Sequence, residues 1–438
     1  MRVRCPHCRK DVNVADDAIS KEAFCPACGS GLWLRPRMEA SAIDAAFGQF
    51  GQGPPAGLTT PAAPALQPPR PSGREQAFVH NSRGVAFTNQ GAYPQAIAEF
   101  NRALQLDPNY AAAYNNRGYA IAARRDYPQA LTDFDKAIAL DPKLAGAWNN
   151  RGLAHMARRD YERAISDFSE CLRLEPATAL AWNNRGFAHA ARGQYHDALD
   201  DFNQALRLSP TIVNAYHNRG FTYTALGEYD YALNDYNMEI VLKPDRPFAW
   251  YNRAFVYTAL GELGRALSDF DEAIRLKPDF ADAYYNRGDV HRARGQYALA
   301  IADYTRAIEH QPGFALAYYH RGESHHVNGD HASAIADFTA LIKLNPSLPA
   351  AHNNRGLAHA AAGAHDLAIA DFSEAIRLNP KYLADWHWVA TLAAAYAQRG
   401  DLDEAVKWAA RSLELAPEIH KAARRAEWEG YRQRLAGA

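Results

Sequence analysis

Long apolar runs, net charge and scattered cysteine are what this 438-residue sequence lacks. No stretch approaches the roughly 18–20 apolar residues that a membrane span needs, so no membrane partner is expected. Lys and Arg number 48 against 49 Asp and Glu, a formal net charge of −1. The whole molecule therefore has no electrostatic drive toward nucleic acid or an acidic surface, although the total says nothing of a local basic patch. Of five cysteines, Cys5, Cys8, Cys25 and Cys28 crowd the first 28 residues and Cys171 stands alone. The opening Met1-Arg2-Val3-Arg4-Cys5 lacks the apolar segment of a signal peptide, which points to a cytoplasmic setting. Disulfides are rare there, so the clustered four need another chemistry. A Gly-rich phosphate loop, a nucleophile elbow and an HExxH helix are also missing. Neither catalysis nor a small-molecule substrate is expected.

What is present is a repeat. Pro108, Pro142, Pro176, Pro210, Pro244, Pro278, Pro312, Pro346 and Pro380 follow one another at a spacing of 34 residues. Numbering each unit so that its proline is position 32, the units begin at residues 77, 111, 145, 179, 213, 247, 281, 315 and 349, with a looser tenth near 386. In the unit 111–144, Tyr114, Gly118 and Ile121 fall on one helical face. Arg125-Asp126 interrupts, where other units place Gly193, Gly227 or Gly295, and Ala130, Phe134, Ala137 and Ile138 mark a second helix that Pro142 ends. Each unit reads as a helical hairpin with one apolar side, which only stacking can bury.

A large residue at position 4, Gly at 8, Ala at 20, Phe or Tyr at 24, Ala at 27 and Pro at 32 resemble the tetratricopeptide-repeat family. The resemblance covers residues 77 to about 417 and implies an all-α fold, a right-handed superhelix of about ten hairpins at 75–417, with the first helix of each pair lining the concave side. Residues 418–438 read as an amphipathic helix that caps the stack, with a basic partner-binding helix as the other reading.

The nine copies can be compared with one another. Position 7 is always Arg and position 23 always acidic, which suggests bidentate pairs such as Arg117 with Asp133, Arg151 with Asp167, Arg185 with Asp201 and Arg219 with Asp235. The alternative is an arginine row open to an anionic ligand. Position 6 is Asn116, Asn150, Asn184, Asn218, Asn252, Asn286 and Asn354 in seven copies. Asparagine is a mediocre helix former, so its retention needs a reason. The family turns this position toward the groove, and the row resembles the asparagines with which O-GlcNAc transferase superhelices grip a peptide backbone. A carboxamide's donor and acceptor match a peptide bond's own pair. The expectation is an extended protein or peptide partner in the groove; the alternative is local bonding of each Asn. Position 9 (Tyr119, Leu153, Phe187, Phe221, Phe255) makes the groove apolar early, or forms inter-repeat core. Groove Lys or Arg at positions 2, 5 and 6, which a carboxylate clamp would need, is lacking.

Units seven and eight depart together: His310, His320, His325, His326 and His331 gather near Asp289, Arg292 and Glu323. They read as partly exposed histidines of a degenerate copy, or as a metal or pH-sensitive site. Cys171 replaces the usual Ala at position 27 and reads as core.

At the other end, Cys5-Pro6-His7-Cys8 and Cys25-Pro26-Ala27-Cys28 have the paired CxxC spacing of zinc ribbons, which residues 1–35 resemble. Four thiolates fill a tetrahedral Zn(2+) shell, so the site should be structural and should supply most of the ribbon's folding energy. A nucleic-acid-associated adaptor is the alternative function, with the ribbon on DNA or RNA and the solenoid recruiting protein. Arg2, Arg4, Arg9, Lys10 and Lys21 are offset by Asp11, Asp16, Asp17 and Glu22, so that reading is not favoured. Residues 36–74, rich in Pro, Ala and Gly, read as a disordered linker.

Overall fold

The computed structural model of the chain describes residues 2–4, 11–13 and 73–437. Strands Arg2–Arg4 and Asp11–Asn13 pair antiparallel, with Val3 opposite Val12. The remaining described segments are helical hairpins with short connections. They fall into two compact stacks that divide at 256/257.

The first stack holds Gly73–Asn89 with Tyr93–Leu106, Ala111–Ala123 with Tyr127–Leu140, Ala145–Ala157 with Tyr161–Leu174, Ala179–Ala191 with Tyr195–Leu208, and Val213–Leu226 with Tyr229–Leu242. The second holds Ala281–Ala293 with Tyr297–His310, Ala315–Val327 with His331–Leu344, Pro349–Ala361 with His365–Leu378, Trp386–Arg399 with Leu402–Leu415, and a last helix Glu418–Ala436. Helix Pro247–Ala259 contains the division, and Leu263–Leu276 follows it. The first helix begins at Gly73, inside the segment read as linker. Glu75 in its first turn complements the helix dipole and favours the extra turn.

Local chemistry explains the hairpins. Helix Val213–Leu226 ends on Gly227 at φ 81°, the left-handed geometry that stops a helix at little cost for glycine. Arg125 and Arg159 hold the same geometry at φ 66° and 61°. Asp126 then caps the next helix by accepting from the Gln129 N–H at 3.3 Å. Within a hairpin, a Cβ on Gly186 would stand 2.8 Å from Phe202 Cε1, so glycine is what lets that ring reach the facing helix. Phe202 is fully buried, as are Phe134 and Phe168 at the same position.

Position 9 takes the second of its two readings, inter-repeat core. Tyr119, Leu153, Phe187 and Phe221 at position 9 are buried, and the first three belong to one continuous core. Each of these side chains sits where successive hairpins meet, so it fastens repeat to repeat instead of facing a groove. The last helix lays His420 against Trp386 at 4.7 Å and Arg424 over the same ring at 5.6 Å. It thus covers the final repeat of its own stack.

Candidate functional site

The constant arginines and acids are brought together. Arg185 Nε donates to Asp201 Oδ2 at 2.9 Å and Nη2 to Oδ1 at 2.7 Å. Its Nη1 turns to the preceding repeat and donates to Ser169 Oγ at 3.1 Å, while the Trp182 ring lies 4.7 Å away. The same fork joins Arg117 to Asp133, Arg151 to Asp167, Arg219 to Asp235, Arg287 to Asp303, Arg321 to Asp337 and Arg355 to Asp371. In the first repeat the acid is Glu99, bonded to His80 at 2.6 Å and to Arg102. The His80 hydrogen bond, outweighing burial, holds Glu99 below the usual carboxylate range.

The partners of Nη1 escaped the sequence reading. They are Asn101, Asp135, Ser169, Asn203, Asn237, Asp271, Thr305 and Thr339, all at position 25 of the repeat before. The signal was present: position 25 always carries an acceptor, although never one fixed residue. In the second to fifth and seventh to ninth repeats the arginine therefore binds its own hairpin through position 23 and the previous hairpin through position 25. Three of five N–H groups are taken, and in all of these but Arg355 the aromatic ring at position 4 lies over the guanidinium, so these side chains join repeats and do not stand open to an anion.

The asparagines are also engaged with one another. Asn116 Nδ2 donates to Asn81 Oδ1 at 3.1 Å, Asn150 to Asn115 at 3.0 Å, Asn184 to Asn149 at 3.4 Å and Asn218 to Asn183 at 3.1 Å. Within the second, third and fourth repeats position 5 donates to position 6, as Asn115 does to Asn116 at 3.2 Å and Asn183 to Asn184 at 3.4 Å. A zipper of amides thus runs through the first five repeats. Asn150 and Asn184 are 1% exposed, too little for a partner's backbone to reach. Asn218 is half-buried. There the zipper stops, because position 5 is His217, which bonds the buried Glu239 at 2.9 Å. Arg246 Nη1 lies 3.3 Å from that carboxylate and also donates to Asn214. Asn252 is buried, Asn286 donates to the Asp282 carbonyl one turn back, and Asn354 accepts from Asn353.

In the second stack, Tyr304 Oη donates to Asp289 Oδ1 at 2.6 Å and Arg292 Nη2 reaches the same oxygen at 3.3 Å. His320 is 2% exposed, not partly exposed as expected, and bonds Glu323 at 3.1 Å. His325 lies 3.3 Å from Asp330, His326 and His331 have ring centroids 5.0 Å apart, and the exposed His310 stacks on Tyr284. Among the described residues no group of three or more His, Cys, Asp or Glu is placed to hold a metal ion. The Cys171 thiol is buried, and burial pushes it up to about 12, so it stays an inert core group. Cys5, Cys8, Cys25 and Cys28 lie outside the described residues. No helix among those described is long and apolar enough to cross a membrane.

Comparison with known families matches tetratricopeptide repeats at residues 84–124, 121–158, 153–219, 256–292, 285–349, 321–382 and 390–420, which together cover well over half of the chain. No curated protein sequence matches. Among solved structures, a tetratricopeptide repeat protein from Parabacteroides merdae shares 20% identity, over 57% of this chain and 98% of that one, with a TM-score of 0.45. PilF of Pseudomonas aeruginosa shares 20%, over 47% and 94%, at 0.44. YrrB, described as a TPR protein with an unusual peptide-binding site, shares 25%, over 43% and 97%, at 0.38.

Proposed function

We propose, for a chain that belongs to the tetratricopeptide-repeat family, the role of a non-catalytic scaffold that holds an extended segment of a protein partner against its first stack. One observation carries this reading: constant and variable positions divide the labour. The constant arginines, acids and asparagines bind repeat to repeat. Residues that change between copies open onto the surface. The variable Asp200, Arg207 and Tyr216 wall an open cavity of about 640 Å³ between the fourth and fifth repeats, beside Asn203 and the constant Arg219, which are already bonded to each other. Such a cavity offers hydrogen-bonding groups beside an aromatic face, a mixture that suits a peptide. The segment is held beside the amide zipper, near its half-buried end at Asn218, and not on its buried amides.

A phage-displayed peptide library selected on the full chain tests this. Enriched peptides, followed by fluorescence anisotropy, should lose affinity about tenfold or more on Tyr216→Ala with circular dichroism unchanged. Lys407→Ala, in the second stack, should leave affinity as it was. No enrichment over bare support, or equal affinity for Tyr216→Ala, would overturn the reading.

We further propose that Cys5, Cys8, Cys25 and Cys28 hold one structural zinc ion in a reducing, cytoplasmic setting. The paired strands Arg2–Arg4 and Asp11–Asn13 leave residues 5–10 as their connection, and chain order puts Cys5 and Cys8 within it. Two thiolates two residues apart in sequence suit one tetrahedral ion. Purified full chain should carry one zinc per molecule by elemental analysis. Cys5→Ser/Cys8→Ser should carry none, while helical circular dichroism is retained. Zinc bound equally by that variant would refute the assignment.

A further inference from the structure

Where the fourth and fifth repeats meet, three side chains depart from their counterparts in other copies, and all three wall the same open cavity. Arg207 stands at position 29. Arg173, Arg275 and Arg377 hold that position elsewhere, and each is bound by a glutamate three residues earlier: Glu170 at 2.6 Å, Glu272 at 2.5 Å and Glu374 at 2.6 Å. In the fourth repeat Gln204 replaces that glutamate. Arg207 is exposed and, among the described residues, its side chain has no hydrogen bond or ion pair. Asp200 is the single charged residue at position 22 of the nine copies; it too is exposed and has no partner among the described residues. Tyr216 stands at position 4, where Trp148, Trp182 and Trp250 each donate Nε1 to the carbonyl of the preceding repeat's proline. Tyr216 makes no such bond among the described residues, which leaves its Oη to a ligand.

The rest of the polar wall is committed. Arg219 is matched by Asp235, and Asn203 accepts from the same arginine. The unmatched charges are therefore those of Arg207 and Asp200. They lie seven residues apart on helix Tyr195–Leu208, two turns along one face, with Cα atoms about 10.5 Å apart. They form no ion pair with each other, so each keeps its charge for an incoming group.

We propose that this pair reads a charge register in the bound segment: an acidic side chain against Arg207 and a basic one against Asp200, three residues apart. Three residues of extended backbone advance about 10 Å, which matches the two turns of helix. Tyr216, from the next helix, offers its ring and Oη to the same segment. The inference rests on the scaffold reading and deepens it, because it names the class of segment: an extended stretch with opposite charges at i and i+3. A segment of one charge sign is opposed at one end of the cavity, which gives the site its selectivity.

Peptide selection on the full chain tests it. Peptides that Tyr216→Ala releases should carry an acid and a base three residues apart, in one order. Selection on Asp200→Arg/Arg207→Asp, with circular dichroism unchanged, should yield the opposite order, because the two charges change places and the rest of the wall does not. In fluorescence anisotropy at low salt, Arg207→Glu should weaken a peptide selected on the wild type by about fivefold. Replacing that peptide's acid with lysine should restore most of the loss, and added salt should narrow the difference. Enriched peptides without the register, or the same order from both chains, would overturn the proposal and leave the scaffold reading standing. So would an Arg207→Glu effect below about twofold. No enrichment on the wild type would remove the scaffold reading, and this proposal with it.

Discussion

Asp201→Ala should destabilise the first stack by about 3 kcal/mol, more than any exposed charge deletion on the chain. The carboxylate is 5% exposed at the side chain and accepts two N–H bonds from Arg185, which is 20% exposed. Removal strands a guanidinium that keeps Ser169 Oγ and the Trp182 face but loses its counter-charge. Because water reaches a fifth of that arginine, the cost falls at the low end of the roughly 3–5 kcal/mol for breaking a buried pair. Deleting both partners should cost less than deleting one, so Arg185→Leu/Asp201→Ala should regain at least half of the loss. An exposed pair gives the contrast: Glu170→Ala, which frees Arg173, should cost under about 1 kcal/mol. Urea unfolding measures all of these. Hydrogen exchange should quicken first in residues 145–242, since each repeat depends chiefly on its neighbours. A midpoint for Asp201→Ala equal to that of the wild type would mean the clamp contributes little, and that the constancy of position 7 has another cause.

How much of this could be read beforehand depends on the range of the interaction. Helix starts at 111, 145, 179 and 213 were legible because Gly, Asp and Pro act on the chain within a turn. The pairing of positions 7 and 23 was legible because nine internal copies repeat it. Position 25 was harder, since Asn, Asp, Ser and Thr share only an acceptor oxygen and no shape. The asparagine row was read as facing a groove, but periodicity reports direction and not clearance. Clearance is set by how closely successive first helices approach. Ala113, Ala147, Ala181 and Ala215 at position 3 are all fully buried. An alanine kept at that register in eight of the nine copies, Val79 being the exception, was the sequence trace of that approach. With it, the amides of neighbouring repeats come close enough to bond each other. His217 and Glu239 show the same logic in reverse: two departures from the repeat, at positions 5 and 27 of one unit, meet in space and end the zipper.

Asn150→Asp separates a buried zipper from an open peptide row. Asn150 Nδ2 donates to Asn115 Oδ1 at 3.0 Å, its own oxygen accepts from Asn149 at 3.5 Å, and it is 1% exposed. A carboxylate of the same shape could still accept from Asn149 but would set its other oxygen against that of Asn115, away from water. At pH 8 the loss should be about 3 kcal/mol or more. Protonation restores a donor, so the introduced carboxyl should titrate in the folded state well above the roughly 3.9 of an unfolded aspartate. Between those two values the native state binds the extra proton and the unfolded state does not. Stability relative to wild type must then fall as pH rises through that window, by about 1.4 kcal/mol per pH unit at the steepest. Asn150→Ala removes the same bonds without a charge; it should cost about 1–3 kcal/mol and show no such slope. Urea midpoints of the three proteins at pH 5 and pH 8 decide the matter. If Asn150→Asp matches wild type at pH 8, water reaches position 150. The amide row would then be open enough for a partner's backbone, and the first helices, not the cavity at Tyr216, would be where the extended segment binds.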